Sequence, residues 1–407
     1  MPSHTSTPPP HAYTASWVWC QRGELRQGAA VVLQAGRIKE VASRPPQGCA
    51  LTDLGEGLLM PGLVNAHTHL ELSFLAGAVP PRGDFVGWLE ELVASRPGHD
   101  HGAAAQATAQ AVQDSITCGI ACVADITNTG RAQETLASAG LSGVSFFEAL
   151  GQAKCEPPPA GLAWRGAVLA ASGVAAHAPY SVPAARLAEL KRRAGDLPFC
   201  IHAAESQAEV EFMLGEGAEG RRLEEFLLAR RLERASLGLK GLRPLAHLMD
   251  LGLLDQHTML VHGVQLTPAE VRGLASSGAS LCVCPRSNLG LTGGLAPVQA
   301  LLAAGVNAAL GTDSLASCPS LSLWEEMAAL RAAVPGLAPE DILHMATAGG
   351  AMALGLTAHF GRLAPGLAGP LAFAPLERLG RGQVLEAAVG GKHAGPPRPV
   401  GRQQPLA

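Results

Sequence analysis

Between Leu58 and Gly355, short apolar runs alternate with longer stretches in which apolar residues recur at helical spacing. We count eight runs: LLMPGLVNA, GIACVAD, GVSFFE, VAAHAP, FCIHAAE, TMLVHG, SLCVCP and VNAALGTD. Segments such as DFVGWLEELVAS, AARLAELKRRAG and PAEVRGLASSG lie between them and are predicted helices. Eight strand–helix repeats are typical of a (β/α)8 TIM-type barrel, so the pattern predicts an α/β fold with a barrel over residues 57–360.

The segments on either side of this barrel have a different pattern. YTASWVWC, AAVVLQ and IKEVAS are short, closely spaced and predicted as strands. GRLAPGLAGPLAFAP, after the barrel, could return to the same sheet. We therefore predict a small, discontinuous, β-sandwich-like domain from residues 12–56 and 361–390. The Pro-rich residues 1–11 and the Gly/Pro-rich residues 391–407 are predicted to be disordered.

The apolar runs end in polar or ionisable residues. In chain order these residues are His67 and His69, Asp125, Glu148, His177, His202, His262, Arg286 and Asp313. The carboxyl ends of all eight strands of such a barrel lie on one face, which is where active sites are built. The sequence thus predicts a ring of ionisable groups at the mouth of an apolar barrel.

Two of these residues, His67 and His69, have the spacing that places side chains on one side of a strand. By themselves they could be a hydrogen-bonded pair. With His202 and Asp313 they form a set of three imidazoles and one carboxylate, which suits zinc, or alternatively iron, with a position left open for water. We therefore predict a catalytic metal site, in which the metal would lower the pKa of its water from about 15.7 towards 7.

His262 and Glu205 are the candidate partners of that water. His262 ends the sixth run, where it would stabilise the nucleophile, or else be an ordinary polar residue under a loop. Glu205 follows His202 by three residues in HAAES. It could move a proton between water and substrate, or it could be a first-turn glutamate that favours a helix N-terminus. The spacing alone does not decide between these alternatives.

Composition and charge exclude several classes of protein. The net charge of the 407 residues is −4, and no block of basic residues favours binding to a nucleic acid or an anionic membrane. No apolar run is long enough to span a membrane. The nine cysteines are irregularly spaced, which predicts a reducing, cytoplasmic compartment. Cys282 and Cys284 could bind a metal, but their alternation in SLCVCP is typical of a core strand.

The motifs HTH, HAAES, VHG, CPRSN and GTDSLAS, in this order, resemble those of the amidohydrolase superfamily. The resemblance is to the branch that contains cytosine, guanine and adenosine-type deaminases and triazine chlorohydrolases, and it covers about residues 13–375. It implies a site with one metal ion, in which His262 polarises the attacking hydroxide and Glu205 shuttles a proton. Asp313 would also accept a proton from the water. The implied metal ligands are His67, His69, His202 and Asp313.

Two positions bear on this resemblance. Superfamily members with two metals typically have a carboxylated lysine at the end of strand four, where this chain has His177 in VAAHAPYS, so a two-metal site is disfavoured. The tail reads PGLAGPLAF, whereas the family commonly has an acidic residue there, which makes the small sheet less certain than the barrel.

The finer motifs, among them HTHLELS, FFEALG, HAPYS and GTDSLASCPSLSLWEEM, look like those of aminodeoxyfutalosine deaminases, which act in menaquinone biosynthesis. Deaminases of adenosylhomocysteine, methylthioadenosine or guanine share several of them, and cytosine is a further candidate substrate. Two other hypotheses are a chlorohydrolase-type enzyme that cleaves another C–X bond of a heteroaromatic ring, and a barrel that has lost catalysis and only binds. The hypothesis of a barrel that has lost catalysis is disfavoured, because no residue of the predicted metal-ligand set is missing.

The predicted partner is a small-molecule substrate. Because they lie at strand ends of the same face, we expect substrate contacts from Glu148, His177, Arg286, Ser287 and Asn288. Trp88 could close the pocket, although an aromatic residue in an amphipathic helix is often part of the core. Helix faces rich in Ala and Leu are typical of subunit contacts or of packing on the barrel, and we predict a homo-oligomer.

Overall fold

The computed structural model describes residues 8–96, 100–151, 161–165 and 168–402. Its strands are β1 His11–Thr14, β2 Trp17–Gln21, β3 Glu24–Gln27, β4 Ala30–Gln34, β5 Arg37–Ala42, β6 Ala50–Asp53, β7 Gly57–Pro61, β8 Leu63–Thr68, β9 Ile120–Thr127, β10 Ser142–Ala149, β11 Gly161–Arg165, β12 Val168–Ala176, β13 Phe199–Ala203, β14 Thr258–His262, β15 Ser280–Val283, β16 Ala308–Leu310, β17 Leu371–Pro375 and β18 Arg398–Val400.

The α-helices are α1 Phe85–Ser95, α2 His101–Thr117, α3 Ala132–Ser138, α4 Ala184–Ala194, α5 Gln207–Leu214, α6 Ala218–Leu228, α7 Arg234–Leu237, α8 Pro244–Asp250, α9 Pro268–Ser277, α10 Pro285–Thr292, α11 Val298–Ala303, α12 Leu323–Ala333, α13 Pro339–His344, α14 Gly350–Ala353 and α15 Arg381–Val389. A 3-10 helix spans Leu70–Leu75 and a π-helical turn spans Met345–Gly349. Across the described ranges, every helix is too short or too polar to cross a lipid bilayer.

The predicted barrel is confirmed. Eight parallel strands pair in the order β16-β15-β14-β13-β12-β10-β9-β8, with β11 added to β12 as an antiparallel neighbour. A parallel bridge between Thr68 and Asp313 joins the first strand to the chain just after the last, and so closes the ring. The three helices named from the sequence are α1, α4 and α9.

Local signals place these helices. The side chain of Asp84 accepts a hydrogen bond from the backbone of Gly87 and begins α1. Thr267 and Glu270 form a reciprocal capping box at the start of α9, which ends at Gly278 in the left-handed conformation. In α4 the apolar side of the helix, with Leu187 and Leu190, is buried.

The first predicted run, LLMPGLVNA, forms two strands instead of one. β7 pairs with β2 and β17 in a small sheet, and β8 begins the barrel. Gly62 lies between them, where a Cβ atom would be 2.5 Å from both the Cβ of Ala121 and the carbonyl oxygen of Pro370. The chain thus passes from one sheet to the other through a point that has no room for a side chain.

Outside the barrel, the structure contains a four-stranded sheet, β5-β4-β1-β6, and a five-stranded sheet, β18-β17-β7-β2-β3. Their apolar side chains, including Val18, Val31, Leu59 and Phe373, form one cluster. This confirms the predicted fold class of a barrel with a small β-sandwich-like domain from both ends of the chain.

The C-terminal segment contributes more to this domain than the sequence indicated. β17 pairs with β7 although PGLAGPLAF lacks the acidic residue, and β18 lies within residues predicted to be disordered. Residues 391–407 are rich in Gly and Pro and short of apolar residues, and the short strand β18 forms there through its antiparallel pairing with β17. The domain boundaries in the sequence analysis remain predictions.

Candidate active site

The side chains that end the barrel strands converge above one rim of the barrel. The Nε2 atoms of His67 and His202 are 3.3 Å apart. The Oδ1 atom of Asp313 is 3.6 Å from Nε2 of His69 and 3.8 Å from Nε2 of His67. These residues come from β8, β13 and the segment after β16, so barrel closure places ligands from the two ends of the sheet side by side.

Three residues of this rim have left-handed backbone conformations although none is glycine. Their φ angles are 54° for Ala204, 76° for His262 and 59° for Asp313. Such a conformation costs on the order of 1 kcal/mol for a residue with a Cβ atom, so neighbouring contacts must hold it. The backbone N–H of Asp313 donates to the carbonyl of His67, and Thr68 Oγ1 donates to the carbonyl of Asp313 at 2.8 Å.

The predicted metal ligands all belong to this cluster. Two groups whose ligand atoms lie within 4.8 Å of one another share His67: one contains His202 and His262, the other His69 and Asp313. A third such group contains Glu148, His177 and His202. Three imidazoles and a carboxylate are a donor set that suits zinc or iron.

The hydrogen bonds behind the cluster fit a metal as well. Nδ1 of His202 donates to the carbonyl oxygen of His177 at 2.7 Å, which leaves Nε2 with its lone pair towards the cluster. Burial lowers the pKa of His202, and burial together with the neighbouring imidazoles holds the pKa of His67 well below its usual value. Neutral imidazoles are the form in which histidine binds metal.

The surroundings of Asp313 favour its ionised form. Its Oδ2 atom accepts hydrogen bonds from Ser287 at 2.6 Å and Ser317 at 3.0 Å, so Oδ1 is left to face the imidazoles. Burial alone would raise its pKa, but His262, His69 and the Ser287 hydrogen bond outweigh burial and lower the pKa. Ser317 lies within GTDSLAS, and the sequence analysis did not single it out.

Glu205 and His262 form a second pair beside the cluster. Oε1 of Glu205 is 3.5 Å from Nε2 of His262, and the amide nitrogen of Asn288 donates to His262 Nδ1 at 2.9 Å. Burial, strengthened by Asp313 and Glu209, holds the pKa of Glu205 well above its usual value, while burial lowers the pKa of His262 to about 3. Burial thus favours the uncharged form of both groups.

The position of Glu205 relative to α5 bears on its two interpretations. Ser206 is the N-cap of the helix, and the acidic residue of the first turn is Glu209. Glu205 precedes the cap, and its backbone N–H donates to the Glu209 carboxylate at 2.8 Å. Its own carboxyl group lines the cavity, so the geometry favours the proton-transfer interpretation over the helix-terminus interpretation.

A cavity of about 810 Å³ opens from the cluster. Its walls include Glu148, His177 and Trp88, three of the six residues predicted to contact substrate. Oε1 of Glu148 is buried and has no hydrogen-bond partner among the described residues, while Oε2 accepts from Asn128 at 3.1 Å. Burial lowers the pKa of His177 to about 4. Glu148 and His177 thus offer polar groups that a bound molecule could use.

The other three predicted contact residues, Arg286, Ser287 and Asn288, are not among the described residues that line this cavity. All three lie in α10, which follows β15. Arg286 is ion-paired with Glu326 at 2.7 Å, whereas Ser287 and Asn288 hold Asp313 and His262. Strand-end position shows which rim a residue reaches but not which way its side chain points.

Glu71 is a cavity residue that the sequence analysis missed. Its carboxylate accepts hydrogen bonds from the Thr127 hydroxyl at 2.7 Å and from the backbone N–H groups of Asn128 and Thr129 at 3.0 and 3.1 Å. These bonds tie the turn after β8 to the loop after β9. The only available signal was its place in HTHLELS, two residues after His69.

The cysteines agree with the core interpretation. Cys282 and Cys284 are completely buried in the barrel, and the eight described cysteines are free thiols. The ninth, Cys155, lies outside the described residues.

Residues 58–374 match the model of the Amidohydrolase family. The chain is 32% identical over 365 residues to a 5-methylthioadenosine/S-adenosylhomocysteine deaminase of Nitratidesulfovibrio vulgaris, covering 81% of this chain and 75% of that protein. It is 33% identical over 344 residues to an aminodeoxyfutalosine deaminase of Deinococcus radiodurans, covering 80% and 79%.

Among solved structures, a zinc-bound adenosine deaminase of Xanthomonas campestris has a similar fold, with a TM-score of 0.77 and 24% identity. The similarity covers 98% of this chain and 95% of that one.

Proposed function

The chain belongs to the amidohydrolase family, and from that premise we propose that it is a metal-dependent hydrolytic deaminase of adenosine-type nucleosides. The observation that carries this proposal is the cluster of His67, His69, His202 and Asp313 with Glu205 beside it, all at the buried end of a large cavity. Both curated relatives described above are deaminases of adenine-bearing nucleosides.

In this proposal His67, His69, His202 and Asp313 hold one divalent ion, zinc or alternatively iron. When bound, such an ion supplies an activated water at neutral pH. The four ligand residues already face one another, and His202 is fixed by the carbonyl of His177.

The chain's own groups would complete the reaction. Water adds to C6 of the purine, the C6–N bond breaks, and the products are the 6-oxopurine and ammonia. Glu205 would carry a proton to ring nitrogen N1, which makes C6 a better electrophile. Asp313 and His262 orient the water, and Asp313 accepts a proton from it. Glu148 and His177 line the cavity, where they would contact the substrate.

The substrate that we propose is aminodeoxyfutalosine, which would be converted to futalosine and ammonia in menaquinone biosynthesis. The motifs from HTHLELS to GTDSLAS and the Deinococcus radiodurans relative support it. Methylthioadenosine or adenosylhomocysteine is the second candidate, because the Nitratidesulfovibrio vulgaris relative, at nearly the same identity, acts on them.

The test is ammonia release by zinc-loaded protein from aminodeoxyfutalosine, adenosine, methylthioadenosine, adenosylhomocysteine, guanine and cytosine. We expect turnover of adenine nucleosides with a preference for aminodeoxyfutalosine, and none after chelation or in Asp313→Asn. A protein with stoichiometric zinc or iron that releases no ammonia from any of these compounds would contradict the proposal. Preference for methylthioadenosine would favour the second candidate.

We also propose a cytoplasmic location and a homo-oligomer. The free thiols of the described cysteines support the first. Light scattering after size-exclusion chromatography would test the second, and a mass equal to that of one chain would contradict it.

A further inference from the structure

Two elements bring hydroxyl groups to the same oxygen atom of Asp313. Ser287 in α10 and Ser317 in the segment after β16 both donate to Oδ2, at 2.6 and 3.0 Å. The next residue of α10, Asn288, donates to Nδ1 of His262 at 2.9 Å. The position of α10 relative to residues 314–322, which we call the Asp313 loop, therefore sets the direction of the Asp313 carboxylate.

Arg286 joins these two elements to a third. Its Nε atom donates to Oε1 of Glu326 in α12 at 2.7 Å, and its backbone N–H donates to Oε2 of the same carboxylate at 2.9 Å. Its Nη1 atom donates to the Ser320 hydroxyl at 3.1 Å, and Nη2 donates to the Ser320 carbonyl oxygen. One arginine thus connects the first turn of α10, the Asp313 loop and α12.

The contact between Arg286 and Glu326 lies inside the molecule. The side chain of Glu326 is fully buried, and that of Arg286 is 13% exposed. A planar guanidinium with several donors fixes the direction of its partners as well as their distance. Because it is shielded from water, this contact holds α10 against α12 more firmly than an exposed ion pair could.

Cys318 links the Asp313 loop to the backbone of Asp313 itself. Its buried Sγ atom lies 3.1 Å from the carbonyl oxygens of Thr312, Ser314 and Ser320, and a thiol is a weak donor to such atoms. Thr312 and Ser314 flank Asp313, whose left-handed conformation depends on neighbouring contacts. The position of Ser320, which Arg286 holds, is therefore passed on to both sides of Asp313.

We propose that Arg286 is a positioning residue for the metal site: held by Glu326, it fixes α10 against the Asp313 loop and so keeps the Asp313 carboxylate directed at the imidazoles. The inference rests on the proposed function, in which Asp313 is a metal ligand. It replaces the prediction that Arg286 contacts the substrate. The guanidinium of Arg286 is occupied by Glu326 and Ser320, and Arg286 is not among the described residues that line the cavity.

The first measurement is the zinc affinity of Arg286→Gln, by competition with a chromophoric chelator. We expect a loss of about 10-fold, because the two hydroxyl groups no longer meet at Oδ2 of Asp313. The double variant Arg286→Gln/Ser287→Ala should bind zinc within about 3-fold of the weaker single variant, since Arg286 acts partly through Ser287. The control Arg331→Gln, which removes a 2.9 Å ion pair with Glu386 near the other end of α12, should bind zinc as wild type does.

Two further readouts separate positioning from a general loss of stability. The absorption bands of the cobalt-substituted protein depend on the arrangement of the metal ligands, so they should shift in Arg286→Gln and stay unchanged in Arg331→Gln. With the compound that wild type deaminates fastest, Arg286→Gln should lower kcat and leave KM within about 2-fold. Glu326→Gln should show the same changes to a smaller degree, and it decides the matter if Arg286→Gln does not fold.

Several results would overturn the proposal. Unchanged zinc affinity and cobalt bands in Arg286→Gln would do so, as would a raised KM with unchanged kcat, which would make Arg286 a substrate contact. Additive losses of zinc affinity in the double variant, or loss of the fold in both Arg286→Gln and Glu326→Gln, would also contradict it. If wild type binds zinc but releases no ammonia from any compound, the proposed function fails, and the zinc affinities and cobalt bands still decide the role of Arg286.

Discussion

At the scale of single residues, the site depends on which group holds a proton. Glu205 and His262 lie 3.5 Å apart in the same buried surroundings, yet burial acts on them in opposite directions. It raises the pKa of the carboxyl group well above its usual value and lowers the pKa of the imidazole to about 3, so burial favours the uncharged form of each. A neutral carboxylic acid beside a heteroaromatic ring can donate a proton without a prior uptake step.

We expect Glu205→Gln to lower kcat for deamination by about 10²–10⁴-fold, because the amide cannot transfer the proton. The zinc content should stay at one ion per chain, since the metal ligands are untouched. Steady-state kinetics and elemental analysis of the same preparation check both statements. Activity within 10-fold of wild type would show that Glu205 is not the proton carrier, and loss of zinc would show that it acts on the metal instead.

Ser287 donates a hydrogen bond to a proposed metal ligand and does not line the cavity among the described residues. Ser287→Ala removes the 2.6 Å hydrogen bond to Asp313 Oδ2 and leaves the one from Ser317. We expect zinc affinity to fall by about 10–100-fold, as is usual when a hydrogen bond that orients a ligand is lost. Competition with a chromophoric chelator measures it. Ser276→Ala, on the exposed side of α9, is the matched control, and equal affinities of the two variants would refute the assignment.

The convergence of the predicted metal ligands could be predicted from the sequence, whereas the direction in which each predicted substrate-contact side chain points could not. His67, His69, His202 and Asp313 end strands, and strand ends of a barrel meet wherever the strands form. Arg286 also follows a strand, but it lies in α10, where its direction depends on the packing of Glu326 in α12. That packing joins residues 40 positions apart, and no local pattern encodes it.

At the scale of elements, Gly62 marks the passage between the small sheet and the barrel. β7 and β8 are continuous in hydrophobicity, so periodicity merges them into one run. What separates them is steric, because the backbone passes too close to Ala121 and Pro370 for any side chain. β18 could not be predicted from its own residues either, because the short RPV segment becomes a strand through its pairing with β17. Alternation of strands and helices was therefore predictable, but not the sheet that each strand joins.

Gly62→Ala should destabilise the fold by about 1–3 kcal/mol, because one of the contacting backbones must shift. Gly382→Ala is the matched control: this glycine lies in α15 with no atom near the position of a Cβ, so alanine should be neutral or stabilise by up to about 1 kcal/mol. Thermal unfolding of both variants gives the comparison. Equal melting temperatures would mean that the contact at Gly62 relaxes without cost.

At the scale of the whole molecule, buried carboxyl groups couple stability to pH. Glu209 is buried under the site, and burial raises its pKa to about 7, against a reference value of 4.5. Between these values the folded protein keeps a proton that the unfolded chain has released. The contribution of Glu209 to the free energy of unfolding therefore falls as pH rises through this window, by on the order of 3 kcal/mol.

Glu209→Gln should remove this falling contribution, so that the stability of the variant relative to wild type rises with pH through the window, because the amide stays neutral in both states. Some slope should remain, since burial also raises the pKa of Glu326 to about 7. Denaturant unfolding between pH 4.5 and 8 measures the profile, with Glu225→Gln, an exposed residue of α6, as the control. An unchanged slope in Glu209→Gln would contradict the expectation.

The bridge between Thr68 and Asp313 has a consequence for synthesis on the ribosome. The first imidazoles of the cluster leave the exit tunnel early, but Asp313 follows only after more than 240 further residues. At typical elongation speeds that interval is on the order of ten seconds or more. β7 waits longer still for its antiparallel partner β17. A nascent chain therefore holds an incomplete cluster until Asp313 has emerged and an incompletely paired β7 until β17 has emerged, so synthesis of the segment from β16 to β17 commits the protein to function.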